Sequence, residues 1–267
     1  MDFTEQFRQV NELIDRESEK LSTDQFEQQL ILLLEALGNP DGEIRDDLAW
    51  RTFHRLFRSD LVSAHARMPL LETLMSDHYM FTGIEAGSSP LSVKRSFAIL
   101  TMADIIWGDK VNSRLVSGSL LLQLSEELRR YIEIEQDHRG FDEELGWVHG
   151  IAHAGDLFLA MDQHPNLEAP ARVSNVAAIL QYIERREDQV FVWDEHFRLG
   201  RPIASCLLSI GGRQVMQRCF GRYSPDFMLS TPCRQNLLNT LRCVYLELVW
   251  EGGAPAETLG TLQRIIQ

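Results

Sequence analysis

Apolar positions recur at three- and four-residue intervals along nearly the whole chain, which is the period of an amphipathic helix. Phe26, Leu30, Leu33, Leu34 and Leu37 set this pattern over Gln25 to Leu37. Ser22 and Gln25 stand before it in capping-box spacing. Gly38-Asn39-Pro40-Asp41-Gly42 then supplies the turn chemistry that stops the helix. The same period predicts helices over 44–57, 61–81 and 91–107, the last opened by Ser89-Pro90 and closed by Gly108. Further helices are expected over 115–135, 143–161, 173–187, 234–250 and 257–266. One more runs over 194–220, interrupted near Pro202 and Gly211-Gly212. No run sustains the period-two alternation of β-branched residues that a sheet requires. The expected fold is therefore all-α: an irregular HEAT-like α-solenoid of stacked antiparallel helix pairs, with a compact α-bundle as the alternative. No strict repeat and no long linker divides the chain, so 1–267 reads as a single all-helical domain.

Charge narrows the possible partners. The chain carries 26 basic and 39 acidic residues, a net charge of −13. Phosphate neutralisation needs clustered cations, so no general nucleic-acid binding is expected, and an anionic membrane surface is disfavoured. No apolar run reaches the length of about 20 residues that a bilayer span needs. The opening Met1-Asp2-Phe3-Thr4-Glu5-Gln6 lacks the basic and apolar regions of a secretory signal, so a cytoplasmic location is expected. Cys206, Cys219, Cys233 and Cys243 form no Cys-x-x-Cys pair and read as buried thiols. No Gly-x-Ser-x-Gly elbow and no glycine-rich phosphate loop is present.

The chemistry concentrates in Gly146-Trp147-Val148-His149-Gly150-Ile151-Ala152-His153-Ala154-Gly155-Asp156. On a helix, positions 149, 153 and 156 fall within roughly 60° of arc. Trp147, Ile151, Ala154 and Phe158 fall on the opposite side and are expected to be mostly buried. Imidazoles at i and i+4 can share one divalent metal such as zinc, with Asp156 as a third ligand or as an orienting group. Gly150 stands where a zinc-protease helix would carry its glutamate. The alternative is a local ion pair between His153 and Asp156. Asp137 and Arg139 lie in the segment just before this helix, and Asp142, Glu143 and Glu144 suit its N-terminus. Arg95 and Arg198 are candidate cations for a carboxylate or phosphate in the same groove, and Glu195 is a candidate carboxylate from another helix. Arg45-Asp46, Arg95, Asp104 and Asp109 also suit inter-helix salt bridges and caps. His149, His153 and Asp156 are expected to share a polar groove with at least one of Arg95, Asp137, Arg139 or Glu195.

Several of these motifs occur in a recognisable order. Ile44-Arg45-Asp46-Asp47-Leu48-Ala49-Trp50 comes first, then Lys94-Arg95-Ser96-Phe97-Ala98-Ile99-Leu100 and Glu135-Gln136-Asp137-His138-Arg139-Gly140. The Trp-x-His-x-x-x-His-x-x-Asp element and Asp194-Glu195-His196-Phe197-Arg198-Leu199 follow. Together, over roughly residues 40–210, they resemble the bacterial domain-of-unknown-function 2785 family. The resemblance implies a helical, HEAT-like bacterial protein and carries no established activity. The family more often reads His-Gly-Ala-Asp where this chain has His153-Ala154-Gly155-Asp156, and both versions keep small residues in the middle.

Three functions fit these residues. The first is binding of a small ligand, a metal ion or a peptide in a groove lined by the His149, His153 and Asp156 helix. The second is a metal-assisted or histidine-based hydrolase on the same residues. The third is an interaction scaffold in which the histidines form a buried network.

Overall fold

The helical period is realised in a computed structural model, which describes residues 23–58, 62, 64–112, 114–223 and 227–267, together with residues 5, 8 and 12. Ser22 of the capping box, and Leu61 where a helix was expected to begin, lie outside the described residues. Helix α1 spans Thr23–Ala36. A π-helical stretch, Glu43–Trp50, runs directly into α2, Arg51–Arg58. Helix α3 spans Ala64–Leu74 and ends well short of the expected Phe81, because turns take over from Met75. Helices α4 (Leu91–Asn112) and α5 (Gly118–Ile134) follow, the latter capped by Ser117, whose hydroxyl accepts from the Leu120 amide at 3.2 Å.

Gly108 does not end α4. It sits inside that helix, and a Cβ there would come within 2.3 Å of the Phe57 carbonyl oxygen. The glycine permits a close crossing of α2 and α4 instead of a stop.

The second half of the chain contains α6 (Gly150–Asp162), α7 (Ala169–Glu184), α8 (Glu195–Ile210), the short α9 (Gly212–Val215) with a π-turn after it, α10 (Thr231–Glu251) and α11 (Ala256–Ile266). Pro202 is accommodated within α8, and the chain breaks only at Gly211. The expectation of no strand needs one correction. Strands β1 (Phe141–Asp142) and β2 (Gly146–Trp147) form a minimal antiparallel hairpin with Phe141 opposite Trp147. The expected helix from Glu143 therefore begins only at Gly150.

Helix α4 packs along α6, α6 along α8 and α8 along α10, while α5 lies against α7; α2 and α3 lean on α4, and α11 on α10. One apolar cluster of buried residues runs through these contacts from Leu33 to Leu262. It includes Phe53 stacked on Phe57 with ring centres 5.9 Å apart. Among the described residues no helix is long and apolar enough to cross a membrane.

Candidate functional site

The hairpin sets the site. Gly140 offers its carbonyl to the amides of Val148 at 2.9 Å and His149 at 3.2 Å. The chain then turns at His149, which holds the left-handed conformation (φ 50°) and caps α6. A left-handed non-glycine residue is uncommon and costs of the order of 1 kcal/mol or more. Asp194, the cap of α8, is also left-handed (φ 67°).

This turn explains why Trp147 is not on the buried face. It precedes the helix, is 41% exposed, and stacks on the His149 ring with centres 4.5 Å apart and planes 4° off parallel. Ile151, Ala154 and Phe158, on the helix proper, are buried.

His149, His153 and Asp156 line one wall of a cleft of about 980 Å³. Four of the chain's five tryptophans also line it: Trp50, Trp107, Trp147 and Trp193. Trp147 and Trp193 meet edge to face at 5.7 Å at its mouth, each also touching Phe141. On the His149 wall, Arg198 from α8 forms an ion pair with Asp156 at 2.5 Å. The close approach of α6 to α8 depends on Gly155, where a Cβ would fall 2.6 Å from the Arg198 carbonyl oxygen. His153 is buried, with Nδ1 2.7 Å from the Ser96 hydroxyl and its ring edge-on to Phe97.

The facing wall is built on Asp104. Trp50 donates its indole N–H to that carboxylate at 3.1 Å, His54 Nδ1 lies 2.9 Å away, and Arg58 Nε lies 3.5 Å away. The Arg58 guanidinium also covers Trp107 at 3.4 Å from the ring centre, a cation–π contact. His54 is 40% exposed at its side chain, and among the described residues its Nε2 has no partner. Asp104 thus orients an imidazole whose second nitrogen has no partner among the described residues.

Burial governs the protonation states. It pulls His149 down to about 4, and the nearby Arg198 cation adds to the effect. Among the described residues the buried His149 Nδ1 has no hydrogen-bond partner. His153 is driven well below the ordinary imidazole value, again chiefly by burial and then by Arg198. Both rings are therefore neutral at pH 7. Burial raises the Asp156 carboxyl above its usual value, and Arg198 pulls back against it.

The expected metal set of His149, His153 and Asp156 is not assembled as a metal centre. Among the described residues no group of three or more His, Cys, Asp or Glu is arranged to hold an ion. Asp156 gives its carboxylate to Arg198 instead.

Four other residues expected at the groove lie away from it. Arg95 forms a fully buried bidentate pair with Glu135, both contacts at 2.8 Å, and also donates to the Thr82 carbonyl, tying the start of α4 to the end of α5. Asp137 is held by Arg139, which also reaches Asp142. Burial opposes ionisation of Asp137, but the hydrogen bonds from Arg139 bring its carboxyl below the ordinary value. Glu195 is buried and accepts the Trp193 amide at 2.8 Å, closing the turn before α8. Arg198 is the candidate cation that does reach the cleft.

Trp50, His54, Arg58, Asp104 and Trp107 went unnoticed as site residues in the sequence. Positions 50, 54 and 58 lie four apart on consecutive helical turns, a signal that aromatic and ionisable side chains share one face.

One family model, described as Protein of unknown function (DUF2785), matches residues 80–217. No curated protein and no solved structure matches the chain.

Proposed function

The chain belongs to the family described as Protein of unknown function (DUF2785), over residues 80–217 of 267, and because that description assigns no activity we propose a function from the cleft: it binds a small polar organic molecule with a ring face, of the sugar or nucleoside class. The observation that carries this reading is the convergence of four tryptophans on one cleft. Flat aromatic walls give a ring a large contact area at little cost in side-chain entropy. The volume falls within the range of small-molecule clefts.

The charges lining the cleft argue against a strongly ionic ligand. Asp46, Asp47, Asp104, Asp156 and Asp194 stand against Arg51, Arg58, Arg198 and Arg201, and several are already paired with one another. Paired carboxylates and guanidiniums, with neutral imidazoles, offer donors and acceptors to hydroxyl or amide groups without demanding a net charge. A thermal-shift screen of the whole chain against monosaccharides, oligosaccharides, nucleosides and nucleobases tests this. Saturable stabilisation by one class, lost in Trp50→Ala, is expected. Stabilisation by none of them, or stabilisation unchanged in Trp50→Ala, overturns the reading.

A second reading, histidine-based hydrolysis, is favoured by the His54–Asp104 pair. A buried carboxylate that orients an imidazole with its other nitrogen free is the arrangement of a general base. Among the described residues no Ser, Thr or Cys lines the cleft, and this reading takes water as the nucleophile. The way α4, α6, α8 and α10 succeed one another beside α5 and α7 supports a short HEAT-like array within a single domain.

A further inference from the structure

We propose that the chain has a second ligand site, an arginine-lined cavity between α5 and α7 that takes a phosphate group. The cavity is about 210 Å³, and Arg129, Arg185, Arg186, Tyr182 and Glu133 line it. None of them lines the tryptophan cleft. In a chain with 39 acidic and 26 basic residues, a guanidinium ordinarily finds a carboxylate. Here two do not. Arg129 donates to the neutral Asn175 side chain at 2.7 Å, and among the described residues no carboxylate is in ion-pair contact with it. Arg186 is directed at His138 and lies over the Tyr182 ring at 5.1 Å, and among the described residues its buried Nε has no hydrogen-bond partner. Arg185 pairs with Glu133 at a long 3.7 Å, and Arg129 feels Glu126 without touching it.

The environment compensates these cations only in part: Glu133 lines the cavity, Glu126 acts on Arg129 from a distance, and Asp188 acts on the neighbouring His138. His138 is held neutral by burial and by the Arg186 cation. Burial likewise weakens the hold of Arg129 on its proton. An oxyanion in the cavity would relieve the repulsion among three cations. Guanidinium forks match tetrahedral phosphate oxygens, and the partly dry setting strengthens such contacts. The space suits one phosphate and is too small for a nucleotide.

Isothermal titration of the full chain with inorganic phosphate, at fixed ionic strength, tests the site. Saturable binding is expected, at least tenfold tighter than that of acetate or chloride. Arg129→Gln and Arg186→Gln should each weaken it at least tenfold with unchanged circular dichroism. Should Arg186→Gln fail to fold, Arg185→Gln at the exposed position provides the same comparison. Titration with phenyl phosphate distinguishes a free ion from the end of a larger molecule, because only an open site accepts both. Absence of saturable phosphate binding, equal binding of acetate, or full binding by Arg129→Gln overturns the proposal.

Discussion

His149 combines two unfavourable features: a left-handed backbone and a buried neutral ring. Its folded-state pKa is about 4 against an ordinary 6.5. Between those values the unfolded chain binds more protons than the folded one, so stability rises with pH across this window and is lost as pH falls through it. The contribution is of the order of 3 kcal/mol. Asn tolerates the left-handed conformation and does not titrate, so His149→Asn should flatten the fall in urea-unfolding free energy between pH 6.5 and 4. Arg45 is fully buried and donates to the carbonyls of Leu145 at 2.8 Å and Asn39 at 3.0 Å, with the Trp147 carbonyl at 3.3 Å. Arg45→Met leaves these acceptors unpaired beneath the hairpin and should cost about 3–5 kcal/mol in chemical denaturation. Trp147→Ala should cost only about 1–2 kcal/mol, because that ring is 41% exposed. Helical spacing alone placed His149, His153 and Asp156 together, and the cleft receives all three. The same spacing misplaced Trp147 because the backbone turns over between it and the helix.

Among the elements, most helices were legible because their apolar stripes are long and periodic. The hairpin was not. Asp142-Glu143-Glu144 reads as an acidic helix start, but the Asp142 carboxylate accepts the amides of Glu144 at 2.9 Å and Leu145 at 3.0 Å. That is turn chemistry, in which a local side-chain bond replaces the first helical turn. Gly108 has the sequence look of a terminator, yet it serves a helix crossing that only a partner 51 positions away reveals. The same physics yields a prediction at Gly155. A methyl group there meets backbone on α8, which cannot rotate away. Gly155→Ala should therefore destabilise the protein by about 1–3 kcal/mol despite alanine's better helix propensity, seen as a lower melting temperature.

Across the whole molecule, the cleft draws on four separated stretches: 42–58, 97–107, 147–163 and 192–201. No local pattern could show that Asp104 would face Asp156, because their meeting depends on α4 packing beside α6. Motif order groups Arg95, Asp137, Arg139 and Glu195 with the histidines, but the fold uses them as ties between helix ends and turns. The tryptophan cleft is the proposed ligand site, and its tryptophans themselves report on occupancy. Trp250 is 75% exposed and is absent from the cleft lining, so Trp250→Phe leaves only the cleft emitters. The most direct measurement is a fluorescence titration of this variant with the sugar or nucleoside that stabilises the chain. A saturable change in emission, with the same midpoint as the stabilisation, is the predicted result. Unchanged emission while stabilisation persists would place the ligand elsewhere and contradict the claim.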